Sequence, residues 1–218
     1  LNGGTVQVEA NYENAAIFVD GRNTGKATGA DARIGPVALD GSSRMHAELA
    51  FPWGMAKSVA MPVQGERVRL QIDPNTDELK KAVMAAVASF IQSWSEAYNK
   101  QDASVVRHLS EERKAQLASG IEEYKSLGMV NETLDEKLVF DAGGISVQRS
   151  DDGTYRTAVS LRRTFVSRYY AVGEEPPPFD TFTDMMTYRL ALIGDDWTVT
   201  DWYEEPHFDP VRTAEWEY

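Results

Sequence analysis

Residues 77–98 constrain the fold of this chain more than any other stretch. Their apolar side chains recur at spacings of three and four, which places them on one stripe of a helix. The stripe consists of Val83, Val87, Phe90, Ile91, Trp94 and Tyr98. The opposite side carries Lys80, Lys81, Gln92, Ser95 and Glu96. Asp77 and Glu78 put negative charge into the first turn, where the helix dipole favours it. We therefore expect one long amphipathic helix whose aromatic end faces a core.

The residues before this helix are typical of a small all-β, sandwich-like domain, residues 1–73. Apolar and polar side chains alternate in short runs, and turn signals recur at Asp20-Gly21, Thr24-Gly25 and residues 34–37. Strands are expected at residues 5–11, 16–20, 45–51, 55–62 and 67–73. Pro74 and Asn75 then mark a linker, since proline cannot continue a ladder of backbone hydrogen bonds.

Residues 74–218 are predicted to form the α+β part of the chain. Two more helices, at residues 103–109 and 111–127, follow the long one, and Gly128 ends the last. From Leu134 the period changes to two, which predicts strands at residues 137–140, 144–149, 154–172, 179–193 and 196–203. The strand at 154–172 is long enough that we expect a bend or bulge. Three helices packed on a curved antiparallel sheet would form a cone around the aromatic stripe.

The charge of the chain excludes one class of partner. It has 34 acidic and 22 basic residues, and 26 and 15 of these lie in residues 74–218. Binding to nucleic acid or anionic lipid requires Lys and Arg to displace counterions, so we expect no nucleic-acid partner. We expect the acidic excess to keep the chain in solution by self-repulsion, and the alternative is a role in an acidic site.

The absence of cysteine excludes thiolate catalysis, disulfides and Cys-type zinc sites. No apolar run approaches the roughly 18 residues that a membrane helix needs. The sequence begins at Leu1 without a methionine. We expect a fragment of a longer protein, whose membrane anchor lies in a segment outside it.

Three short motifs in the first domain carry a family resemblance. They are Ile17-Phe18-Val19-Asp20-Gly21, then Ile34-Gly35-Pro36-Val37 with Asp40-Gly41, then Phe51-Pro52-Trp53-Gly54. The Pro-Trp-Gly after a strand is the most specific of them. Through these motifs, residues 15–72 resemble the membrane-proximal β domain of the TcaA/YvbJ family, zinc-ribbon membrane proteins of Gram-positive bacteria.

Residues 79–203 resemble the NTF2-like domain that closes the same family. The resemblance is carried by Phe90, Trp94 and Tyr98, by residues 105–109 and by the last strand, 197–203. It implies a cytoplasmic zinc ribbon and one transmembrane helix upstream, and it implies that this part of the protein lies outside the membrane, in the cell envelope. Members are linked by name to susceptibility to the glycopeptide teicoplanin and to wall polymers.

The first candidate site is the interior of the cone. NTF2-like folds include enzymes that use an Asp or a Tyr–His pair to move a proton beside a carbonyl. The candidate pocket residues are Phe90, Trp94, Tyr98, Tyr124, Arg163, Asp201 and Tyr203. Asp201 shares the alternating phase of Val199, which points inward. The alternative for Asp201 is an ion pair with Arg163, because a buried charge requires a partner. His108 is expected on the surface.

Two further candidate ligand-binding features lie outside the cone. Arg156, Arg162 and Arg168 share one face of the long strand and could bind a wall phosphate or carboxylate. The alternative is a solvated face that the acidic segment 195–217 neutralises. An exposed Trp53 could stack on a sugar ring, although Pro-Trp-Gly more often plugs the end of a strand.

Neither a metal nor a cofactor is predicted. The histidines His46, His108 and His207 lie far apart in the sequence, and no pair has the spacing of helical metal ligands. Gly3-Gly4 and Gly143-Gly144 match neither the P-loop nor the dinucleotide-binding fingerprint.

These observations predict a non-catalytic, extracytoplasmic module of a membrane-anchored envelope protein. It would bind or sense a wall component, such as peptidoglycan or teichoic acid, take part in a glycopeptide antibiotic response, or bind an envelope protein. One alternative is an NTF2-like isomerase or hydrolase that uses Asp201 or His108 in the cavity. Another is a structural spacer that self-associates.

Overall fold

The computed structural model describes residues 3–205 and 214–216, with side chains for residues 3–134 and 137–205. The chain divides into two units, Leu1–Leu79 and Lys80–Tyr218. The predicted boundary between residues 73 and 74 falls in the segment that joins the last strand of the first unit to the long helix.

In the described part of the first unit, the regular elements before the long helix are all strands. They are β1 (Gly4–Ala10), β2 (Ala16–Val19), β3 (Arg22–Ala27), β4 (Arg33–Val37), β5 (Asp40–Phe51), β6 (Gly54–Lys57), β7 (Met61–Gln64) and β8 (Arg67–Leu70). One sheet has the order β4-β1-β8 and the other the order β3-β2-β5-β6, with β7 also paired to β5. Both sheets contribute buried side chains, among them Val6 and Val8 from β1 and Ile17 and Met45 from the second sheet.

The predicted turns at Thr24-Gly25 and residues 34–37 are wrong, because both segments are edge strands. In β3 the side chains of Asn23 and Thr24 accept hydrogen bonds from the N–H groups of Gly25 and Lys26. These local bonds and a φ of 71° at Gly25 make the strand bulge instead of turn. Edge strand β4 tolerates proline because a missing donor there disrupts no ladder.

The long helix and the second unit supply the remaining elements. They are α1 (Asp77–Lys100), a 3₁₀ turn (Ala103–Val105), α2 (Glu111–Ser126), β9 (Met129–Phe140), a 3₁₀ turn (Ala142–Gly144), β10 (Gln148–Arg149), β11 (Tyr155–Ala171), β12 (Asp180–Ile193), β13 (Asp196–Glu204) and β14 (Ala214–Trp216). The sheet has the order β13-β12-β11-β9-β14, and β10 pairs with β11. The sequence-based expectation of an α+β architecture is confirmed for this half of the chain.

Helix α1 carries core residues on the predicted stripe, with Val83, Val87 and Phe90 all buried. The prediction that Ser95 lies on the polar side is wrong, since Ser95 and Ser93 are buried as well. Ser93 donates its hydroxyl proton to the carbonyl of Phe90 one turn earlier, a bond that lets a small polar side chain face the core. The buried face of α1 is therefore wider than its apolar stripe.

The predicted helix at residues 103–109 is wrong and leaves the domain with two α-helices among the described residues. The Asp102 side chain accepts a hydrogen bond from the N–H of Ser104 and starts only a 3₁₀ turn, after which Val106 is extended. The chain then runs beside β13. The N–H of Val199 donates to the carbonyl of His108, and the carbonyl of Val199 accepts from the N–H of Ser110. Pairing with a distant strand overrides a weak local helical preference.

The expected irregularity of the long strand β11 lies in its pairing with β9. The register shifts between Phe165 and Ser167, where the extra residue belongs to β9, whereas the pairing of β11 with β12 is continuous.

The strand predicted at residues 144–149 is wrong for its first part. There Asp141 accepts a hydrogen bond from the N–H of Gly144 and closes a 3₁₀ turn, so only Gln148–Arg149 remains as a strand.

Candidate functional site

One cavity of the second unit lies between the end of α1 and the inner face of β11. We call it the cone cavity, and its volume is about 260 Å³. Alternation along β11 directs Arg163, Phe165 and Ser167 to the face that contacts α1. The described lining residues are Trp94, Ser95, Tyr98, Tyr124, Asn131, Thr133, Arg163, Phe165 and Ser167.

Aromatic rings from the two helices form one wall of the cone cavity. The ring of Tyr98 lies 5.5 Å from that of Trp94 and 5.8 Å from that of Tyr124, centroid to centroid. Burial raises the pKa of the Tyr98 phenol, and burial followed by the neighbouring Tyr169 raises the pKa of Tyr124. Both phenols therefore stay protonated at neutral pH.

Neutral polar side chains form the opposite wall. Asn131 donates to the hydroxyl of Thr133 at 3.1 Å, and that hydroxyl lies 3.1 Å from the hydroxyl of Ser167. Ser167 in turn donates to the backbone carbonyl of Glu132. This chain of bonds fixes the side chains, so the wall presents preorganised hydroxyl and amide groups.

Arg163 separates the cone cavity from a second cavity of about 180 Å³. Its guanidinium donates to the hydroxyl of Ser95 at 2.9 Å and stacks 4.1 Å from the ring centre of Phe165. The second cavity lies on the other side and is lined by Phe90, Ile91, Trp94, Arg163, Asp184, Met186, Tyr188 and Trp202. Of the residues predicted for the pocket, the cone cavity is lined by Trp94, Tyr98, Tyr124 and Arg163. Phe90 lines the second cavity, together with Trp94 and Arg163.

The expectation that Asp201 and Tyr203 point into the cone is wrong because β13 contains a bulge. Leu190 pairs with Val199 and Arg189 with Asp201, which leaves Thr200 as an extra residue. One extra residue exchanges the two faces of a strand. Beyond the bulge it is Trp202 that faces inward, 5.4 Å from the ring of Trp94.

Asp201 has its own partners on the outer side. It accepts a hydrogen bond from Arg113 of α2 at 2.5 Å and lies 4.0 Å from Arg189, so the expected pair with Arg163 is replaced. Tyr203 stacks on the Arg189 guanidinium at 5.1 Å. His108 is only half-exposed, contrary to expectation, and its Nδ1 lies 3.1 Å from the carbonyl oxygen of Trp197. Asp201, Tyr203 and His108 are all absent from the described linings of both cavities.

The three arginines of β11 do not act as one strip. Arg156 pairs with Asp152 in the preceding turn at 2.9 Å. Arg168 pairs with Glu132 and stacks 4.2 Å from the ring centre of Phe179. Arg162 has no ion pair with any described residue. The carboxylates that neutralise Arg156 and Arg168 thus belong to a neighbouring turn and a neighbouring strand. None of them belongs to residues 195–205 of the acidic C-terminal segment, and the rest of that segment lies outside the described side chains.

Trp53 packs as a plug in the first unit. Its ring stacks on Phe51 at 5.1 Å, and its Nε1–H donates to the carbonyl oxygen of Pro74 at 3.0 Å. These contacts use one ring face and the only polar atom of the side chain, which agrees with the structural alternative for this residue.

The sequence prediction omitted five lining residues of the cone cavity, namely Ser95, Asn131, Thr133, Phe165 and Ser167. Phe165 and Ser167 share the strand phase of Arg163, and that phase was a sufficient signal for both. Asn131 and Thr133 lie in a polar part of β9 that precedes the predicted strand, and no local pattern marks them.

Two general properties of the described residues bear on function. No group of three or more His, Cys, Asp or Glu side chains in residues 3–134 and 137–205 is arranged to hold a metal ion. Neither α1 nor α2 combines the length and the apolar composition that crossing a bilayer requires.

Comparison with protein families matches both parts of the chain. Residues 2–77 match the model of the TcaA protein 3rd/4th domain. Residues 83–203, more than half of the chain, match the model of the YvbJ NTF2-like domain. The order of the two matches agrees with the order expected from the sequence motifs.

Individual relatives are distant. The uncharacterized membrane protein YvbJ of Bacillus subtilis strain 168 is 21% identical over 154 residues, which are 71% of this chain and 25% of that protein. The chain thus spans about a quarter of that relative. Among solved structures, the intermembrane space region of the chloroplast protein ARC6 is 18% identical, with a TM-score of 0.43, over 57% of this chain and 95% of that one. By its two family matches, this chain belongs to the TcaA/YvbJ family, as a TcaA-type β region followed by a YvbJ-type NTF2-like domain.

Proposed function

We propose that this chain is a non-catalytic recognition module of a membrane-anchored envelope protein. Its cone cavity would bind an uncharged sugar or peptide group of the peptidoglycan. The observation that carries the proposal is the chemistry of the cavity wall, where four aromatic rings face hydroxyl and amide groups. Aromatic faces with a few fixed polar groups are the usual lining of sites for small organic ligands.

The size of the cone cavity limits what can enter. Its volume of about 260 Å³ lies just below the range of about 300–1,000 Å³ typical of drug-sized ligands. One sugar ring or one amino-acid side chain is therefore the appropriate size. The protonated hydroxyls of Tyr98 and Tyr124 supply donors. The amide N–H groups of Asn131 already bond to Asn99 and Thr133, so Asn131 supplies its side-chain oxygen as an acceptor.

The lining favours binding over acid–base catalysis. The described lining residues include no histidine and no carboxylate, the groups that most often transfer protons. Asp201 and His108, the groups of the enzyme alternative, contact Arg113 and the Trp197 carbonyl instead. Among the described residues that line the two cavities, Asp184, an exposed carboxylate on the rim of the second cavity, is the acidic group that an enzyme could use.

Charge favours peptidoglycan over teichoic acid as the ligand. Arg156 and Arg168 already have carboxylate partners, and residues 74–218 carry 11 more acidic than basic residues. A polyanion would be repelled at long range and would have to displace those carboxylates.

The location of the module rests on the family. A family member is a membrane protein. We place this chain on the extracytoplasmic side, where it would follow a zinc ribbon and a membrane anchor in the sequence of the longer protein. A location facing the wall would give the cone cavity access to its ligand.

Retention of the 218-residue chain on purified Gram-positive sacculi tests the proposal. We expect retention that survives removal of teichoic acid. Tyr98→Phe with Tyr124→Phe should weaken it about tenfold, since two hydroxyl hydrogen bonds are lost. The matched control is Tyr203→Phe, which removes a phenol hydroxyl outside both cavities.

Three outcomes would overturn the proposal. The first is no retention on either form of the sacculi. The second is retention that the double tyrosine variant leaves unchanged, which would exclude the cone cavity. The third is retention that disappears with teichoic acid and with Arg162→Ala plus Arg168→Ala, which would assign binding to the outer arginines. Turnover of wall fragments that Asp184→Asn abolishes would establish the enzyme alternative.

A further inference from the structure

A cleft in the first unit lies between the edge strands of its two sheets. Strand β3 is at the edge of one sheet and β4 at the edge of the other. We call the space between them the β3–β4 cleft, and its volume is about 510 Å³, within the range typical of ligand sites. Residues of two of the three sequence motifs, 17–21 and 34–37, contribute to it. The described lining residues are Val19, Asp20, Arg22, Asn23, Thr24, Lys26, Ile34, Gly35, Pro36 and Val37.

Both edge strands are irregular where they line the β3–β4 cleft. The register of β3 against β2 shifts between Asn23 and Ala27, and the register of β4 against β1 shifts between Ile34 and Val37. Bulges of this kind bend an edge strand and interrupt the row of backbone groups with which another strand would pair. In the described sheets no ladder joins β3 to β4, so the cleft stays open between them.

The side chain of Lys26 crosses from β3 to β4. Its Nζ donates a hydrogen bond to the carbonyl oxygen of Arg33 at 2.8 Å. An ammonium group has three donors, so two remain for a ligand. Arg22 lines the same cleft, and its exposed side chain makes no ion pair with a described residue. The cleft thus presents two cations, one of which the protein already holds in position.

One carboxylate limits the charge that the cleft can accept. Asp20 belongs to the lining, and its Oδ1 accepts a hydrogen bond from the N–H of Arg44 at 2.7 Å. Two positive charges, on Arg22 and Lys26, and one negative charge leave the described lining with a formal charge of +1. A ligand with a single carboxylate therefore matches the cleft better than a polyanion, which Asp20 would repel.

The floor of the β3–β4 cleft is apolar. Ile34 and Val37 are only 4% and 7% exposed, and Val19 and Pro36 line the same space. Contact with these side chains would remove apolar surface of a ligand from water. The ligand that matches the whole cleft combines one carboxylate with aliphatic groups.

We propose that the β3–β4 cleft binds the C-terminal end of a partner protein. The terminal carboxylate would accept charge-assisted hydrogen bonds from Lys26 and Arg22. Aliphatic side chains of the last residues would pack on Ile34 and Val37. The C-terminal residue of a chain carries a carboxylate and a side chain on one carbon atom, so it supplies both features at the required separation. Capture of a terminal carboxylate is a recurring mode of peptide recognition.

Two other ligands match the cleft less well. A teichoic acid or a nucleic acid carries many negative charges, against a formal charge of +1 in the described lining. A stem peptide of peptidoglycan also ends in a carboxylate, but its terminal alanines carry only methyl groups, which would bury little surface on Ile34 and Val37. The cleft and the cone cavity belong to different units, so this proposal and the wall-binding proposal can fail separately.

A titration of the 218-residue chain with N-acetyl-valyl-valine, followed by nuclear magnetic resonance, tests the proposal. The titration extends to about 10 mM, which nearly saturates a site with a Kd of about 1 mM. We expect saturable shifts of the amide signals of Lys26, Gly35 and Val37. Two matched probes should bind about tenfold more weakly or worse: N-acetyl-valyl-valinamide, which lacks the carboxylate, and N-acetyl-glycyl-glycine, which lacks the aliphatic side chains.

Three results of this titration would overturn the proposal. The first is no saturable shift at the cleft with N-acetyl-valyl-valine. The second is equal binding of the amide, which would show that the charge of the ligand does not matter. The third is equal binding of the glycine probe, which would reduce the interaction to charge alone.

Variants of the chain locate the contact. Lys26→Met should weaken binding of N-acetyl-valyl-valine about tenfold, because one of the two cations is lost. The matched control is Lys57→Met, which removes an exposed lysine of the same unit that pairs with Glu48 and is absent from the described lining. Equal loss in both variants, or no loss in the first, would overturn the assignment. Thermal unfolding checks that each variant folds.

The wall as a source of the carboxylate is tested with N-acetyl-D-alanyl-D-alanine, which corresponds to the end of a stem peptide. We expect it to bind more weakly than N-acetyl-valyl-valine. Tighter binding that Lys26→Met removes would assign the cleft to the wall and overturn the partner proposal. Sacculus retention of Lys26→Met should equal that of the unmodified chain, and a loss of retention would likewise assign the cleft to the wall.

Discussion

Asn99, near the end of α1, bonds to the backbone of Thr133 in both directions. Its amide donates to the Thr133 carbonyl at 2.9 Å, and its side-chain oxygen accepts from the Thr133 N–H at 2.8 Å. The same oxygen accepts from Asn131 at 3.0 Å. Asn99 thus takes the place of a neighbouring strand along this part of β9 and holds the polar wall of the cone cavity.

Asn99→Ala should therefore loosen this edge of β9. We expect a loss of about 1–2 kcal/mol in the free energy of unfolding, because partly solvated bonds are replaced by water. Hydrogen exchange at the Thr133 amide should accelerate. In the matched control Asn99→Asp, a carboxylate oxygen still accepts from that amide, so its protection should persist. Unchanged exchange in Asn99→Ala would contradict this role.

The pair of Arg113 and Asp201 links α2 to β13, with side chains 33% and 40% exposed. A partly exposed pair stabilises weakly, so Arg113→Met should cost about 1 kcal/mol or less in the free energy of unfolding. A double-mutant cycle with Asp201→Asn measures the coupling. Lys114→Met, which removes a pair within one helix, is the control and should cost less. A coupling above about 3 kcal/mol would mean that the pair is effectively buried.

Alanine substitution at two glycines in or next to α2 should change the stability of the protein in opposite directions. At Gly120, inside the helix, a new Cβ would lie 3.6 Å from the Tyr98 hydroxyl, an ordinary contact. Gly120→Ala should then stabilise the protein by up to about 1 kcal/mol, through helix propensity. Gly128 has a φ of 68°, so Gly128→Ala should destabilise by about 1 kcal/mol. Chemical denaturation measures both. A destabilised Gly120→Ala would show that the Tyr98 hydroxyl needs the free space.

Lowering the pH should remove the contribution that the Glu132 carboxylate makes to the free energy of unfolding. Hydrogen bonds from Tyr170 and then Arg168 lower the pKa of this carboxyl below its ordinary value of 4.5. A carboxyl with a lowered pKa in the folded protein stabilises above its unfolded pKa and loses that contribution as pH falls through the folded value. The stability difference between the unmodified chain and Glu132→Gln should thus be constant near neutral pH and shrink below about pH 4.5.

Denaturation curves recorded from about pH 7 to about pH 3 check this expectation. Glu175→Gln is the control, since Glu175 lies in an exposed loop, and its stability difference should change little. A difference for Glu132→Gln that stays constant down to the lowest pH would contradict the contribution of the ionised carboxylate.

Periodicity along the chain determined the elements that depend on adjacent residues. The stripe of α1, from Val83 to Tyr98, and the alternation of β11 are both encoded within single segments, so sequence reasoning found them. The same stripe placed Phe90, Trp94 and Tyr98 in the cavity region. Family motifs such as Pro-Trp-Gly added the order of the two domains.

Tertiary structure decided what depends on distant partners. The bulge at Thr200 exists only through the pairing of β13 with β12, and it turned Asp201 and Tyr203 away from the cone. Val199 drew the residues after Val105 into an extended segment where a helix was predicted. Local sequence sets the period of a strand or helix, whereas its phase relative to the core and the partner of each charge are set by residues far away in the sequence.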